Sequence, residues 1–430
     1  MQAGAVCKDC KSGQQEIYSH LLICSNGYFC APDFFLFEES TFWGINWYLC
    51  ASELEVYGEL GFFFLRNIMI EGHGDDLFRF EGRVRINFSS NIPQNVNHEE
   101  LIRHLCERGS LVGNYPEPEP KSVERRLAQL LGLEPESVIV TNGATEAIYL
   151  IAHLFEGKRS AIVAPTFREY QDAAKVFAHR VSFISSIDEI EASDADIVWL
   201  CNPNNPTGEV FCRERLLSII DRCREKVFVI DQAYALYSVK RVLSAEDIAG
   251  RDNVVILHSL TKEYMIPGLR IGYAIGSAGV MDALRGLRMP WSVNALAIEA
   301  AHFFLDRGSR MSGSRMSGNA DDGNAESGNR NDCNREVISA EELHREAMRL
   351  SCELSALGIE VAHTDCNFIL ARLKKGRAAE LKMWLVENYG ILIRDASNFE
   401  GLTPAHFRIA AQSPQENDIF IKCMQEWLSL

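Results

Sequence analysis

Long apolar runs are what this chain most plainly lacks. Hydrophobic residues make up 47% of its 430 positions, yet no run reaches the roughly 18 residues that a membrane-spanning helix needs. The best candidate, LGFFFLRNIMI, is short and carries Arg66. Positive charge is scarce as well. With 43 Lys and Arg against 59 Asp and Glu, the formal net charge is -16, which argues against nucleic acid or an anionic membrane as the main partner. No basic start followed by an apolar run and a small-residue cleavage site opens the chain, so secretion is not expected. Ordered cysteine spacing is missing too: the 13 cysteines are odd in number and mostly scattered singly, which suits reduced thiols in a cytoplasm. A small anionic ligand survives these exclusions, because an acidic shell can surround a local cationic pocket.

At 430 residues the chain exceeds the size at which one core usually stops growing, so at least two domains are expected. Residues 1–68 are an aromatic-rich extension of doubtful status, with Cys7, Cys10, Cys24, Cys30 and Cys50 and no clear helical or strand period. Residues 69–114 read as an N-terminal arm and small-domain segment that includes the helix-like HEELIRHLCERGSLVG. From 115 to 307, short apolar runs alternate with amphipathic ones. The runs are SVIVTNG, SAIVAPTF, DIVWLCNPNNPTG, KVFVIDQAY, NVVILHSLTK and RIGYAIG. Such Val/Ile-rich runs separated by helices predict an α/β domain with a mostly parallel sheet covered by helices. Residues 308–335 form a Gly/Ser/Asn tract with too little apolar area to order itself, and are expected to be a flexible insertion. Residues 336–430 read as a smaller C-terminal α+β domain.

Ligands of open α/β sheets bind outside the carboxyl ends of the strands. The polar residues here follow those ends in turn: Asn142-Gly143-Ala144-Thr145, Phe167, Asn205, Asp231 with Tyr234, then Lys262. One strand-end lysine is more often an ordinary solvated group. Five consecutive strands that each end in a group suited to one ligand are not. Pyridoxal 5'-phosphate needs this set: an amine for its aldehyde (Lys262) and a carboxylate to keep its ring nitrogen protonated (Asp231). Tyr234 and Asn205 supply donors for its phenolic oxygen, and Phe167 a flat neighbour for its ring. TNGATEA turns tightly into a helix whose N-terminus favours phosphate, with Ser259 and Arg270 adding side-chain donors. Lys262 and Arg270, eight residues apart, would then hold opposite ends of one cofactor. No metal is called for.

Together, NPNNPTG, DQAY and SLTK with an arginine eight residues after the lysine resemble the aspartate aminotransferase family of fold type I pyridoxal-phosphate enzymes. The resemblance covers residues 69–430 apart from the insertion. It implies the roles just derived for Asn205, Asp231, Tyr234, Lys262 and Arg270, matches Ala144 and Thr145 to the phosphate-binding backbone and Phe167 to the stacking aromatic, and places Thr261 of SLTK in the cofactor site. It also implies a homodimer, because Tyr115 in NYPEPEP matches a tyrosine that reaches the neighbouring subunit's phosphate. Arg408 in HFRIA matches the arginine that grips the substrate carboxylate. Within the family, EGHGDD, INFSSNI, NYPEPEP and LIRDASNFEGL are similar to the threonine-phosphate decarboxylases of cobalamin synthesis, with histidinol-phosphate aminotransferases as the alternative. That likeness implies a phosphorylated amino-acid or amine substrate, with Arg394 binding its phosphate and His73 and Asn91 nearby.

The N-terminal extension admits other classes of function. Its CKDC with Cys24 and Cys30 fits no standard zinc spacing. A DNA-binding head fused to an enzyme-like body would need a basic patch, whereas residues 1–68 hold only Lys8, Lys11 and Arg66 against eight acidic residues. The favoured expectation is that Met69 is the natural start, since the family resemblance begins there.

Overall fold

The computed structural model describes residues 75–94, 96–307 and 339–430, together with a two-stranded antiparallel ladder of Ile23–Cys24 and Gly27–Tyr28. The remaining N-terminal residues, the 308–335 tract and His73 lie outside the described residues, as do the readings attached to them. Contacts divide the chain into residues 1–69 and 70–430.

A short strand β1 (Ile86–Asn87) precedes helices α1 (Glu99–Glu107) and α2 (Lys121–Leu131). The apolar runs then become β2 (Val138–Thr141), β3 (Arg159–Val163), β4 (Arg180–Ile184), β5 (Ile197–Cys201), β6 (Val227–Asp231), β7 (Val254–His258) and β8 (Gly272–Gly276). Between them run α3 (Gly143–Leu154), α4 (Glu169–Val176) and α5 (Arg213–Arg222), followed by α6 (Ala278–Leu287) and α7 (Ala295–Asp306). The seven strands form one sheet in the order β2-β8-β7-β6-β5-β3-β4. Only β8 runs against its neighbours; the other six point the same way.

Strand alternation sends side chains to both faces, and both faces are covered. Val138, Val140, Val198, Leu200, Phe228, Ile230 and Val254 pack with residues of α2, α5 and α7. Their neighbours Ile139, Ile197, Trp199, Val229 and Val255 pack instead with α3, α4 and α6. This is why the runs are continuously apolar: a strand with two dry faces has no polar positions. The exception is β4, the sheet edge, whose residues are mostly accessible.

The second core unites both ends of the 70–430 unit. Helix α8 (Ala340–Ala356), strands β9 (Glu360–Val361) and β10 (Phe368–Arg372), helix α9 (Ala378–Tyr389), strands β11 (Ile391–Leu392), β12 (Arg394–Asp395) and β13 (His406–Ala410), and helix α10 (Pro414–Ser429) complete the chain. The order β9-β10-β13-β12 is antiparallel throughout, while β11 pairs in parallel with β1. Phe88 packs among Leu350, Leu385, Phe407 and Phe420, so the arm before α1 is built into this domain. Ser339–Glu342 and Ser413–Glu416 capping boxes fix the starts of α8 and α10.

The two cores meet at Gly208, which has φ +78° and where a Cβ would stand 2.0 Å from Thr364 Oγ1 and 3.1 Å from the Phe368 carbonyl oxygen. Gly250 shares the left-handed backbone, φ +73°, with nothing within 4 Å. Gly250→Ala should therefore cost about 1 kcal/mol of stability from backbone strain alone. Gly208→Ala should cost clearly more, because a backbone carbonyl cannot swing away as a side chain can. Thermal unfolding of the two variants checks this; equal losses would show that the domain contact at 208 is not tight.

Candidate active site

Six strands bring their carboxyl ends to one edge of the sheet. The reversal of β8 matters here: pairing of Gly272 with Thr141 and of Tyr273 with His258 puts its amino end at that same edge. Arg270, two residues before β8, thus arrives beside the turn after β2. A cleft of about 320 Å³ opens there, lined by Ala144, Thr145, Phe167, Asn205, Asp231, Tyr234, Ser259, Thr261, Lys262, Arg270, Arg394 and Arg408.

One end of the cleft is shaped to hold an anion. The first N–H groups of α3 have no partner within the helix and carry its positive dipole end. Gly143 has φ +73°, and a Cβ there would come within 2.5 Å of the Arg270 guanidinium. At Gly272 a Cβ would lie 2.6 Å from the Ala144 nitrogen. Only glycine at both places lets the guanidinium, the turn and β8 close around one small space. Ser259 and Thr261, hydrogen-bonded to each other at 2.7 Å, face the same end.

The other end holds a buried acid. Asp231 accepts hydrogen bonds from the Tyr170 hydroxyl at 2.8 Å and the Ala233 N–H at 2.9 Å. Burial pushes its pKa above the ordinary carboxylate value, against the pull of those donors and of Lys262. A cationic group beside it would reverse that shift. Between the ends stands Lys262, its Nζ 5.9 Å from the centre of the Tyr234 ring. Enclosure, with Arg408 and Arg270 adding repulsion, pushes its amine down to about 8, although Asp75 and Asp231 act in the opposite sense. The Tyr237 hydroxyl donates to the Lys262 carbonyl at 2.6 Å and anchors the backbone beneath it. Burial also pushes the Tyr234 phenol up to about 12, so it remains a donor.

Opposite these lie two arginines from the small domain. Arg394 on β12 and Arg408 on β13 are direct cross-strand partners, and both are buried, at 7% and 4% exposure. Arg408 donates to Asn205 Oδ1 and to the Ser89 carbonyl, both neutral acceptors, and burial pushes it down to about 10. Arg394 donates to Asn398 Oδ1 at 2.9 Å and stands 5.7 Å from the Phe399 ring centre.

Pyridoxal 5'-phosphate, the ligand expected from the sequence, fits these groups. The α3 turn with Arg270, Ser259 and Thr261 suits its phosphate, Lys262 its aldehyde, and Asp231 lacks the cationic neighbour that a protonated ring nitrogen would supply. One residue expected near the substrate is not on this lining, and Tyr115, which the resemblance assigns to a neighbouring subunit's site, is not in the cleft of its own chain. Tyr115 is 86% exposed and stacks near Trp291, and Asn91, fully buried with φ +60°, sits behind Tyr234 rather than on the lining. Phe167 is not the only aromatic here, since Phe399 also lines the cleft and Tyr170 meets Phe167 edge-on.

Several lining or supporting residues escape the sequence reading. Asp75 reaches the cleft from the arm, held by Asn87 Nδ2 at 2.7 Å and Ser89 Oγ at 3.1 Å. Arg168 and Glu169 follow Phe167 on the wall. EGHGDD contains Asp75, and Arg168 and Glu169 directly follow SAIVAPTF, but only the folded arrangement separates them from surface charges. Among the described residues no group of three His, Cys, Asp or Glu side chains could hold a metal ion.

The profile of the family described as aminotransferase class I and II matches residues 83–423. The chain is 36% identical to L-threonine-O-3-phosphate decarboxylase from Porphyromonas gingivalis, whose crystal structure aligns with a TM-score of 0.72 over 80% of this chain and 100% of that one. It is 30% identical, over 349 residues, to histidinol-phosphate aminotransferase of Thermoanaerobacter pseudethanolicus, covering 77% of this chain and 89% of that protein. Identity to threonine-phosphate decarboxylase of Salmonella typhimurium is 26% over 359 residues, 80% of this chain and 91% of the other. The match runs through every element that shapes the cleft, from the arm at β1 to α10, and so the chain belongs to the aminotransferase class I and II family.

Proposed function

We propose that this family member decarboxylates a phosphorylated amino acid, L-threonine O-3-phosphate, as a step of cobalamin synthesis. The observation that carries its two-anion substrate is the cross-strand pair Arg394 and Arg408. Two buried cations side by side repel, and anionic groups bound between them would relieve that repulsion. A substrate with both a carboxylate and a phosphate would supply one anion to each. Histidinol phosphate carries a single anionic group, but 2-oxoglutarate, the acceptor in the second reading, carries two, so the pair fits a two-anion ligand in either reading. The 36% identity to the Porphyromonas gingivalis decarboxylase favours the first reading. The second reading, histidinol-phosphate transamination with 2-oxoglutarate as acceptor, is favoured by the 30% identity to the Thermoanaerobacter aminotransferase.

Pyridoxal 5'-phosphate, when bound, supplies an electron-withdrawing ring that stabilises negative charge at the substrate α carbon. In the proposed site the chain's own groups do the rest. Asp231, oriented by Tyr170 and the Ala233 N–H, keeps a proton on the ring nitrogen. Tyr234 and Asn205 donate hydrogen bonds to the phenolic oxygen. Ala144, Thr145, Ser259, Thr261 and Arg270 hold the phosphate, and Phe167 covers the ring. Arg408 binds the substrate carboxylate and Arg394 the substrate phosphate. Lys262 Nζ moves the proton at the α carbon. If the arginines present the carboxylate for cleavage, carbon dioxide would leave and Lys262 would deliver a proton to the α carbon in its place; if they present the C–H bond, Lys262 would remove that proton instead.

The same reading includes a homodimer in the cytoplasm. Val112, Tyr115, Met289 and Trp291 are 74%, 86%, 77% and 50% exposed, a patch suited to a second subunit that would take Tyr115 toward its own cleft. Unbridged, buried Cys201, Cys223, Cys366 and Cys423 suit a reducing compartment.

L-threonine O-3-phosphate should release carbon dioxide with no 2-oxo acid present. Strict dependence on 2-oxoglutarate would replace this reading with the second one. Lys262→Ala should lower turnover by at least about 10³-fold, and borohydride reduction of the wild-type enzyme should tag the Lys262 peptide; a tag on another peptide refutes the site. After cofactor is stripped, the rate of its recapture, followed by absorbance, should rise with pH through about 8 and then level off, because only the unprotonated amine reacts. A midpoint near the ordinary lysine value of about 10.4 would mean that enclosure does not tune this amine.

A further inference from the structure

We propose that Asp75 is a specificity-determining residue: a fixed negative charge near the carboxylate-binding Arg408 that repels the substrate carboxylate and favours its loss over removal of the α hydrogen. The inference rests on the proposed decarboxylase reading. It adds an acid to a recognition site so far built from arginines.

The arm fixes the position of Asp75 relative to Arg408. Asp75 Oδ1 accepts from the Leu77 N–H at 3.0 Å and from Ser89 Oγ at 3.1 Å, and its Oδ2 accepts from Asn87 Nδ2 at 2.7 Å. Asn87 and Ser89 are buried and joined, the Ser89 N–H donating to Asn87 Oδ1 at 2.8 Å. Between them Phe88 is tied on both sides. Its N–H donates to the Leu392 carbonyl and its carbonyl accepts from the Ala410 N–H, each at 2.8 Å. Ala410 lies two residues along β13 from Arg408, whose guanidinium donates to the Ser89 carbonyl. Ser89 thus links the acid to the arginine, with its hydroxyl on one and its carbonyl on the other. Asp75, Lys262 and Arg408 line the same cleft.

The charge of Asp75 reaches both groups that handle the reacting centre. It favours the proton on Lys262 more strongly than Asp231 does, and it acts in the same sense on Arg408. A substrate carboxylate held by Arg408 brings a second negative charge within that reach. Like charges in an enclosed site raise each other's energy, and only one of these two can leave. The bond between the carboxylate carbon and the α carbon breaks, its electron pair stays at the α carbon, neutral carbon dioxide departs, and Lys262 Nζ delivers a proton in its place. Removal of the α hydrogen by Lys262 leaves both negative charges where they were. The repulsion therefore favours the first path, and it acts on the same choice of torsion as the arginines do.

The test follows how each turnover ends. Wild type, Asp75→Asn and Asp75→Ser are compared as holoenzymes with L-threonine O-3-phosphate in heavy water. Carbon dioxide release and exchange of the α hydrogen in recovered substrate are measured, together with KM and the inhibition constant of the product amine, which has no carboxylate. Removing the charge should lower kcat for carbon dioxide release by about 10-fold or more and lower KM as well, while the product amine binds within about twofold of wild type. α-Hydrogen exchange per carbon dioxide released should rise by at least about 10-fold. Asp75→Ser, smaller and still an acceptor, should act as Asp75→Asn does, and it carries the test if Asp75→Asn does not fold. A raised KM with unchanged partition makes Asp75 a mere counter-charge of Arg408 and overturns the inference. Equal weakening of substrate and product amine assigns Asp75 to packing of the arm and overturns it too. Either result, with carbon dioxide still released by wild type, leaves the decarboxylase reading standing. A wild-type enzyme that releases no carbon dioxide without a 2-oxo acid overturns both.

Discussion

Burying a cation is costly, and this cleft does so more than once. Arg408 is 4% exposed, yet its donors go to an asparagine oxygen and a backbone carbonyl. Arg394 lies directly across from it on the neighbouring strand, and Lys262 faces both. Desolvation lowers the pKa of all three. The cleft is lined by Arg168, Lys262, Arg270, Arg394 and Arg408 against Asp75, Glu169 and Asp231, so cations outnumber carboxylates there inside a chain whose net charge is -16. That surplus favours small anions and explains how an acidic protein can bind them. Burial first, and the neighbouring arginines second, bring the lysine amine down to about 8, which favours it as a nucleophile.

The fold holds these charges in place by dividing them between two cores. The large sheet carries the lysine, the acid and the anion cradle, with one reversed strand closing the cradle. The small domain carries the two arginines on paired strands. The halves meet through an apolar cluster of Tyr234, Tyr237, Leu343, Phe368 and Ala410 and through specific polar contacts. Asn205 meets Arg408, Asp365 accepts from the Val210 N–H at 2.9 Å and pairs with Lys240 at 3.0 Å, and the Asp365 N–H donates to the Gly208 carbonyl at 2.9 Å. The loop after β5 is thus fastened to the small domain at Gly208 and Val210 as well as through Asn205.

Much of the cofactor site was legible because the sheet is dry on both faces. Continuous apolar runs mark such strands, and the first polar residue after each one has to lie at the edge, where ligands bind. Lys262, Asp231 and Asn205 are all of this kind. The direction of β8 was not legible, since GYAIG reads the same in either sense; its pairing with β2 and β7 depends on the turn at Pro267–Arg270 and on the absence of a Cβ at Gly272. Asp75 and Arg168 were hidden for a different reason. Each is a charged residue in a segment without apolar period, and such residues are normally solvated. Tyr170 was hidden inside an amphipathic helix as a core aromatic, although its hydroxyl reaches Asp231. The placement of Tyr115 away from the cleft follows from a single chain, where its partner surface is a second subunit in the proposed assembly.

Decarboxylation and transamination require the same cofactor residues, and so the choice between them has to lie in the substrate's torsion. The large domain cannot set that torsion, because its groups contact the ring side of the reacting centre. The small domain can, since Arg394 and Arg408 are fixed relative to each other by strand register. Two anionic groups held on adjacent strands leave the bond between them little rotational freedom. A single anchor, by contrast, would let the substrate swivel and expose whichever bond breaks more easily. In the proposed reading the paired arginines would choose the bond that breaks, and a substrate with two anions is the kind on which they could act.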